Sequence, residues 1–248
     1  MLYKNTLYKL ASLMSPNFYK EISDLISFNG ENLTIFDIGF YKGEFTKRLI
    51  ENLDIDTNKQ NIFVYSFDPN NKISRKEFKE FSELKNIHWR HFSDAIGDKN
   101  SKEKFTILKH FPSSGSSINN ILVDSKWIKT RRIIFSPLSK KDNIAETIEV
   151  NQITLDSLNL DIKCLDILKI DVEGYAYKVL KGAKETIDKF NPIIQLEILS
   201  KKNEYAESRE KIIEFLLDLD YKLIETKQHS TTHFFSDVIC VDLLFIKF

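Results

Sequence analysis

Residues 33–53 read LTIFDIGFYKGEFTKRLIENL. Leu33–Ile38 is a strand-length run of apolar, aromatic and β-branched residues that stops at Gly39. Beyond Gly43, the residues Phe45, Leu49 and Leu53 recur at helical spacing. The segment therefore predicts a strand, a glycine-bounded turn and a helix. The pattern repeats in the next residues. Ile62–Phe67 (IFVYSF) predicts a strand ending at Asp68-Pro69-Asn70, and ISRKEFKEFSEL predicts a charged helix. NIHWRHFSDAIGD predicts a third strand that runs out between Asp94 and Asp98. Alternating strands and helices build a parallel sheet covered on both faces.

Residues 102–155 break the alternation. KEKFTIL and ETIEVNQITLDSL predict strands, separated by the Ser/Asn-rich loop HFPSSGSSINN and a stretch carrying Trp127, Arg131, Arg132 and Pro137. This region is expected to be a β-rich insertion with a substrate loop. The alternation then resumes. CLDILKIDVEG predicts a buried strand ending at Asp171, and YAYKVLKGAKETIDKF predicts one amphipathic helix. IIQLEI predicts a strand, EYAESREKIIEFLLDL a charged helix, and YKLIET with VICVDLLFIKF a closing antiparallel hairpin. The expected fold is α/β and Rossmann-like: a mostly parallel seven-stranded sheet with an antiparallel last strand and helices on both faces. Residues 31–248 form one domain in this reading. Residues 1–30 form a helical extension, with Tyr3, Leu7, Leu10 and Met14 on the face that packs on the domain or on a second subunit.

Composition removes several classes. With 248 residues, 42% hydrophobic and 29% charged, the chain can bury a sizeable core. Lys+Arg and Asp+Glu are both 36, so no global field draws it to nucleic acid or an anionic membrane. Seven Gly, five Pro and two Cys exclude collagen-like, low-complexity and disulfide-scaffold chains. Cys164 and Cys240 lie in apolar runs and read as buried reduced thiols. Lys4 and Lys9 interrupt the apolar residues of the N-terminus, so a signal-peptide core is not expected there. No run approaches the length of a membrane span, and the expected location is the cytoplasm.

The turn Asp37-Ile38-Gly39-Phe40-Tyr41-Lys42-Gly43 lies where open α/β sheets bind ligands, beyond the carboxyl ends of the strands. A pyrophosphate-binding turn wants glycine two residues after the first, and Tyr41 stands there, which counts against a nicotinamide or flavin dinucleotide. Asp37, two residues before Gly39, suits a ligand with a cationic part. Asp68-Pro69 ends the second strand, where a carboxylate can accept hydrogen bonds from ribose hydroxyls. Asp94-Ala95 ends the third, where a base amino group could sit. A plain structural turn at Gly39–Gly43 and a capping role for Asp68 are the competing readings.

Residues 166–183, DILKIDVEGYAYKVLKGA, resemble the lKiDvEGxExxvLkGa hallmark of FkbM-type methyltransferases. FDIGFYKGEF resembles that family's DvGAnxGxf, SFDPN its aFEPn, and SDAIGDKNSKEKF its AlgdxxGxxxF. Ser116-Ser117-Ile118, ITLDSL and IIQLEI follow in family order. The resemblance implies S-adenosylmethionine as cofactor, with Asp37, Gly39, Tyr41, Gly43, Asp68, Pro69, Asp94 and Ala95 as its contacts. It also implies methyl transfer to a hydroxyl of a small molecule, sugar or glycan. Phe40-Tyr41 replace the family's Ala-Asn, and Ala176 stands where the hallmark has its second acid.

Asp171 and Glu173 end the fourth core strand, and Glu197 is expected at the end of the fifth. Residues two apart on a strand share a face, so Asp171 and Glu173 could converge and act as base or position the acceptor. Glu197 could join them, or the three could hold a divalent metal through oxygen ligands. His88, His91, His110, His229 and His233 are further candidate bases, and Lys126, Trp127, Lys129, Arg131 and Arg132 form a candidate acceptor patch. Asp171-Val172-Glu173-Gly174 replaces the D/N-P-P-Y/F of DNA amino-methylating enzymes, so DNA is not expected as substrate. The competing readings are a cofactor-binding scaffold without transfer activity and, further off, an NAD-linked oxidoreductase. A homo-oligomer is compatible with the sequence.

Overall fold

The computed structural model describes residues 16–26, 32–53, 60–70, 83, 86–108, 118, 145–201, 203–228 and 238–247. Among the described residues, ten strands form two sheets. In the large one, β1 (Asn32–Ile38), β2 (Asn61–Phe67), β3 (Ile87–Phe92), β7 (Ile167–Ile170), β8 (Ile193–Lys201), β9 (Tyr221–Gln228) and β10 (Val238–Lys247) are arranged in the order β3-β2-β1-β7-β8-β10-β9. β1, β2, β3, β7 and β8 pair in parallel, while β10 runs antiparallel to both β8 and β9. This is the expected seven-stranded sheet with one reversed strand.

The central strand β1 is buried on both faces, which explains its near-continuous apolar run. On one face Leu33 and Ile35 pack with Ile22 of α1 (Pro16–Leu25) and Leu49 of α2 (Glu44–Asn52). Helix α1 lies within the stretch read as an extension, and its Ile22 is fully enclosed in this core. On the other face Phe36, Ile38, Leu168, Ile170, Leu196 and Ile198 meet three helices: α3 (Ala176–Lys181), α4 (Lys184–Phe190) and α5 (Tyr205–Leu217).

A small sheet joins β4 (Ala95–Ile96), just before the insertion, to β6 (Ala145–Ile153) and β5 (Ser101–Leu108), in the order β4-β6-β5. The third predicted strand is thus two. Ile87–Phe92 belongs to the large sheet, and Ala95–Ile96 leaves it to pair with Gln152 and Ile153.

The single helix predicted for residues 175–190 is also two. A Cβ on Gly182 would lie 1.9 Å from the Gly97 carbonyl oxygen, so the helix and the small sheet touch backbone to backbone there. The break frees the amides of Glu185 and Thr186, which donate to the Asp156 carboxylate at 3.1 and 2.8 Å. A capping carboxylate from another element satisfies the exposed donors of the second helix. The Ser/Asn loop, His110, His229, His233, the cationic stretch Lys126–Arg132, the predicted helix after Asn70 and residues 1–15 lie outside the described residues, apart from Ile118 and Glu83.

Candidate active site

The turn after β1 is built on left-handed backbone. Gly39, Tyr41 and Gly43 have φ of 80°, 48° and 67°. Gly39 is required twice, because a Cβ there would also sit 1.7 Å from the Asp171 carbonyl oxygen. The amides of Gly39 and Phe40 donate to the Phe67 carbonyl at 2.9 and 3.3 Å, which ties the turn to the end of β2. Phe40, where the family has a small residue, folds its ring beneath Gly43 and against Trp89, with ring centroids 4.4 Å apart. It is a buried prop under the turn.

Asp68 closes the arrangement. Its carboxylate accepts the Tyr41 amide at 2.6 Å and the Asn70 amide at 2.8 Å. Burial pushes its pKa up to about 6, and the two amide bonds only partly offset that rise. Each oxygen takes one N–H and retains a lone pair.

Asp68 lines a narrow crevice along the carboxyl ends of β1, β2 and β7, with about 560 Å³ of empty space including its open mouth. The crevice brings together Gly39, Tyr41, Asp68, Pro69, Asp94, Ala95, Asp171 and Glu173. Motif reading missed its apolar walls, Ile38, Phe67, Ile96, Phe105, Ile118 and Val172, together with Asn70 and Tyr175. The available signal was positional: several directly abut the singled-out acids and glycines at strand ends.

Three candidates stand elsewhere. Asp37 is wholly enclosed beneath the turn, where Thr46 Oγ1 donates to its carboxylate at 2.6 Å and Lys169 Nζ lies at 2.9 Å. Its charge is already matched, so it does not offer itself to a cationic ligand; its place is under the floor. Gly43 starts α2 and is not a wall of the crevice. Glu197 is not at a strand end. Pairing with β10 carries β8 on to Lys201 and leaves Glu197 mid-strand, opposite Asp242. Burial first, and then the charges of Asp171, Glu173 and Asp242, raise its pKa well above the carboxylate range.

Asp171 and Glu173 do not share an extended face as expected. β7 ends at Ile170, and Glu173 turns into left-handed backbone at φ 53°, followed by Gly174 at 89°. Both residues still line the crevice, because the chain reverses over it. Among the described residues, no group of three or more His, Cys, Asp or Glu is placed to hold a metal ion, so the metal role of Asp171, Glu173 and Glu197 is not supported. His88 stacks on Phe63, and His91 bonds Ser66 at 2.9 Å with its pKa lowered by burial; neither lines the crevice. Cys164 and Cys240 are free thiols; Cys240 is buried as expected, whereas Cys164 is only half-buried.

The donor set fits an S-adenosyl ligand. The apolar walls could flank a flat base, the remaining lone pairs of Asp68 could accept ribose hydroxyls, and the acids Asp94, Asp171 and Glu173 along the crevice could face a cationic group. The class defined by this fold and crevice is that of Rossmann-like class I methyltransferases. The profile of the methyltransferase FkbM domain matches residues 37–223, and the chain belongs to that family. A solved FkbM methyltransferase from Methylobacillus flagellatus KT aligns with 15% identity and a TM-score of 0.50, covering 93% of this chain and 50% of that one. The chain thus spans half the length of that relative. N-methyltransferase NodS from Bradyrhizobium japonicum WM9 aligns with 11% identity and a TM-score of 0.45, covering 95% of this chain and 96% of that one. A precorrin-6y C5,15-methyltransferase from Geobacter metallireducens GS-15 gives 12% and 0.43, covering 94% and 87%. No curated protein matches the sequence.

Proposed function

We propose that the protein transfers a methyl group from S-adenosylmethionine to a hydroxyl of a small molecule, sugar or glycan. The observation that supports this reading best is Asp68: a buried carboxylate at the end of β2 that organises the glycine turn and borders the crevice on the same side as Gly39 and Tyr41. Asp68 and Asn70 hold the ribose side, and the walls Ile38, Phe67, Ala95 and Ile96 flank the base. Asp94 faces the base amino group. S-adenosylmethionine supplies an electrophilic methyl on its sulfonium.

The chain's own residues have to align the acceptor oxygen, exclude water and take the hydroxyl proton. Asp171 suits the last task. It lines the crevice, its side chain is 31% exposed, and Lys169 Nζ lies 3.6 Å from Oδ2. Glu173, buried beside it, positions the acceptor. Glu197, mid-strand opposite Asp242, does not line this crevice and is given no part in the transfer. No helix among the described residues is long and apolar enough to cross a membrane.

Titration calorimetry with S-adenosylhomocysteine, followed by a methyl-release assay over hydroxylated acceptors, tests the reading. Micromolar binding with turnover is expected. Ala176, buried where the family carries an acid, keeps one other outcome specific: tight binding with no turnover on any acceptor would mark a cofactor-binding protein without transfer activity.

A further inference from the structure

Lys169 is a buried cation that the proposed reaction uses only as a neighbour of Asp171. It lies in the middle of the sheet, directly opposite Asp37 on β1 and Gln195 on β8. Its ammonium is enclosed by protein and meets three oxygens: Gly39 O at 2.7 Å, Asp37 Oδ1 at 2.9 Å and Asp171 Oδ2 at 3.6 Å. The ammonium donates a hydrogen bond to the turn at Gly39 O and forms ion pairs with one carboxylate from β1 and one from the crevice wall. Burial alone would lower the lysine pKa, but the carboxylates of Asp37 and Asp171 override it, so the group stays charged.

Neutralising Asp37 would need one of these contacts. The contact that matters is with Gly39 O. In left-handed backbone at φ 80° the Gly39 carbonyl is captured below the turn. That fixes the peptide leading to Phe40, and through it the Tyr41 amide that donates to Asp68. The same ammonium borders the carboxylate assigned as base.

We propose that Lys169 is a positioning residue whose ammonium sets the glycine turn and Asp171 in one arrangement, so that the cofactor side and the acceptor side of the crevice are built as a unit. Its binding arm rests on the cofactor reading above; its structural arm does not.

The test separates positioning from charge matching. Lys169→Met strands the Asp37 charge and should lower the melting temperature. Adding Asp37→Asn removes that stranded charge and should restore most of it. In this double variant, without ligand, amide exchange at Tyr41 should speed up at least tenfold while exchange at Leu243 stays at the wild-type rate. S-adenosylhomocysteine should bind at least tenfold more weakly than to wild type. Wild-type exchange at Tyr41, or wild-type affinity, in the folded double variant would overturn the inference. Should the double variant not fold, Lys169→Met measured below its own midpoint gives the same two readouts. A wild-type protein that ignores S-adenosylhomocysteine would refute the cofactor reading, and the exchange data would still decide the role of Lys169.

Discussion

Replacing Asp68 by Asn separates binding from stability. In the wild type, two amides donate to the carboxylate, Tyr41 at 2.6 Å and Asn70 at 2.8 Å. Hydrogen bonds to a charged acceptor contribute roughly 1.5–3 kcal/mol each. Asparagine retains one acceptor oxygen and turns an NH₂ toward the other amide, so one bond is lost and replaced by two facing donors. A loss of about 2 kcal/mol in the order of the turn corresponds to roughly 30-fold weaker binding. Folding responds differently. Raising the carboxyl from 3.8 to about 6 means that keeping it ionised at pH 7 costs the fold about 3 kcal/mol. Asparagine removes that cost and offsets the lost bond. The expected result is calorimetric affinity for S-adenosylhomocysteine down about 30-fold with a melting temperature within a few degrees of wild type. Wild-type affinity, or a large fall in melting temperature with affinity intact, would refute the assignment of Asp68 as the residue that shapes the turn for the ligand.

The same shift sets a pH dependence. The folded protein binds this proton more tightly than the unfolded chain, so the stabilisation by Asp68 is complete below about pH 4 and is lost as pH rises through about 6. The stability difference between wild type and Asp68→Asn, from urea melts, should therefore fall by about 3 kcal/mol between pH 4 and pH 7. Ligand affinity should run the other way and strengthen as the carboxyl ionises across pH 6. Gly39→Ala places a Cβ 1.7 Å from the Asp171 carbonyl at φ 80°; a stability loss of at least about 2 kcal/mol and no measurable ligand binding are expected from melts and calorimetry. Asp171→Asn should lower the transfer rate by about 10²–10⁴-fold with a much smaller change in ligand affinity, read by stopped-time methyl release. Gly182→Ala, aimed at the Gly97 carbonyl 1.9 Å away, should cost about 1–3 kcal/mol in a urea melt.

The middle of the large sheet was legible because β1 and β7 are buried on both faces and β1, β2 and β7 each end at a residue that punctuates: Gly39, Asp68-Pro69, Asp171. Spacing alone could locate the crevice, since in such sheets ligands bind where strands end. Sidedness was harder. Asp37 and Asp68 look equivalent as acids beside a turn, yet one lies under the floor with Lys169 and the other in the wall. That difference depends on which face of β1 a residue takes and on a lysine over a hundred positions away. Glu197 was misplaced because the length of β8 is set by its pairing with β10, which local pattern does not contain. The split between α3 and α4 escaped notice because Gly182 is tolerated within a helix, and only the Gly97 carbonyl pressed against it gives it meaning.

That meeting of Gly97 and Gly182 has a consequence for recognition. Gly97 and Gly182 meet backbone to backbone, and the Tyr175 hydroxyl donating to Gln152 and the Lys181–Asp98 ion pair fasten the same seam, so the wall bearing Ala95, Ile96 and Phe105 is held to the helices at several points. A seam fastened at several points resists widening by any one side-chain rotation. A flat ring entering there would meet a slot whose width is set before any ligand arrives, with the entropy of forming it borne at folding and little of it left for association.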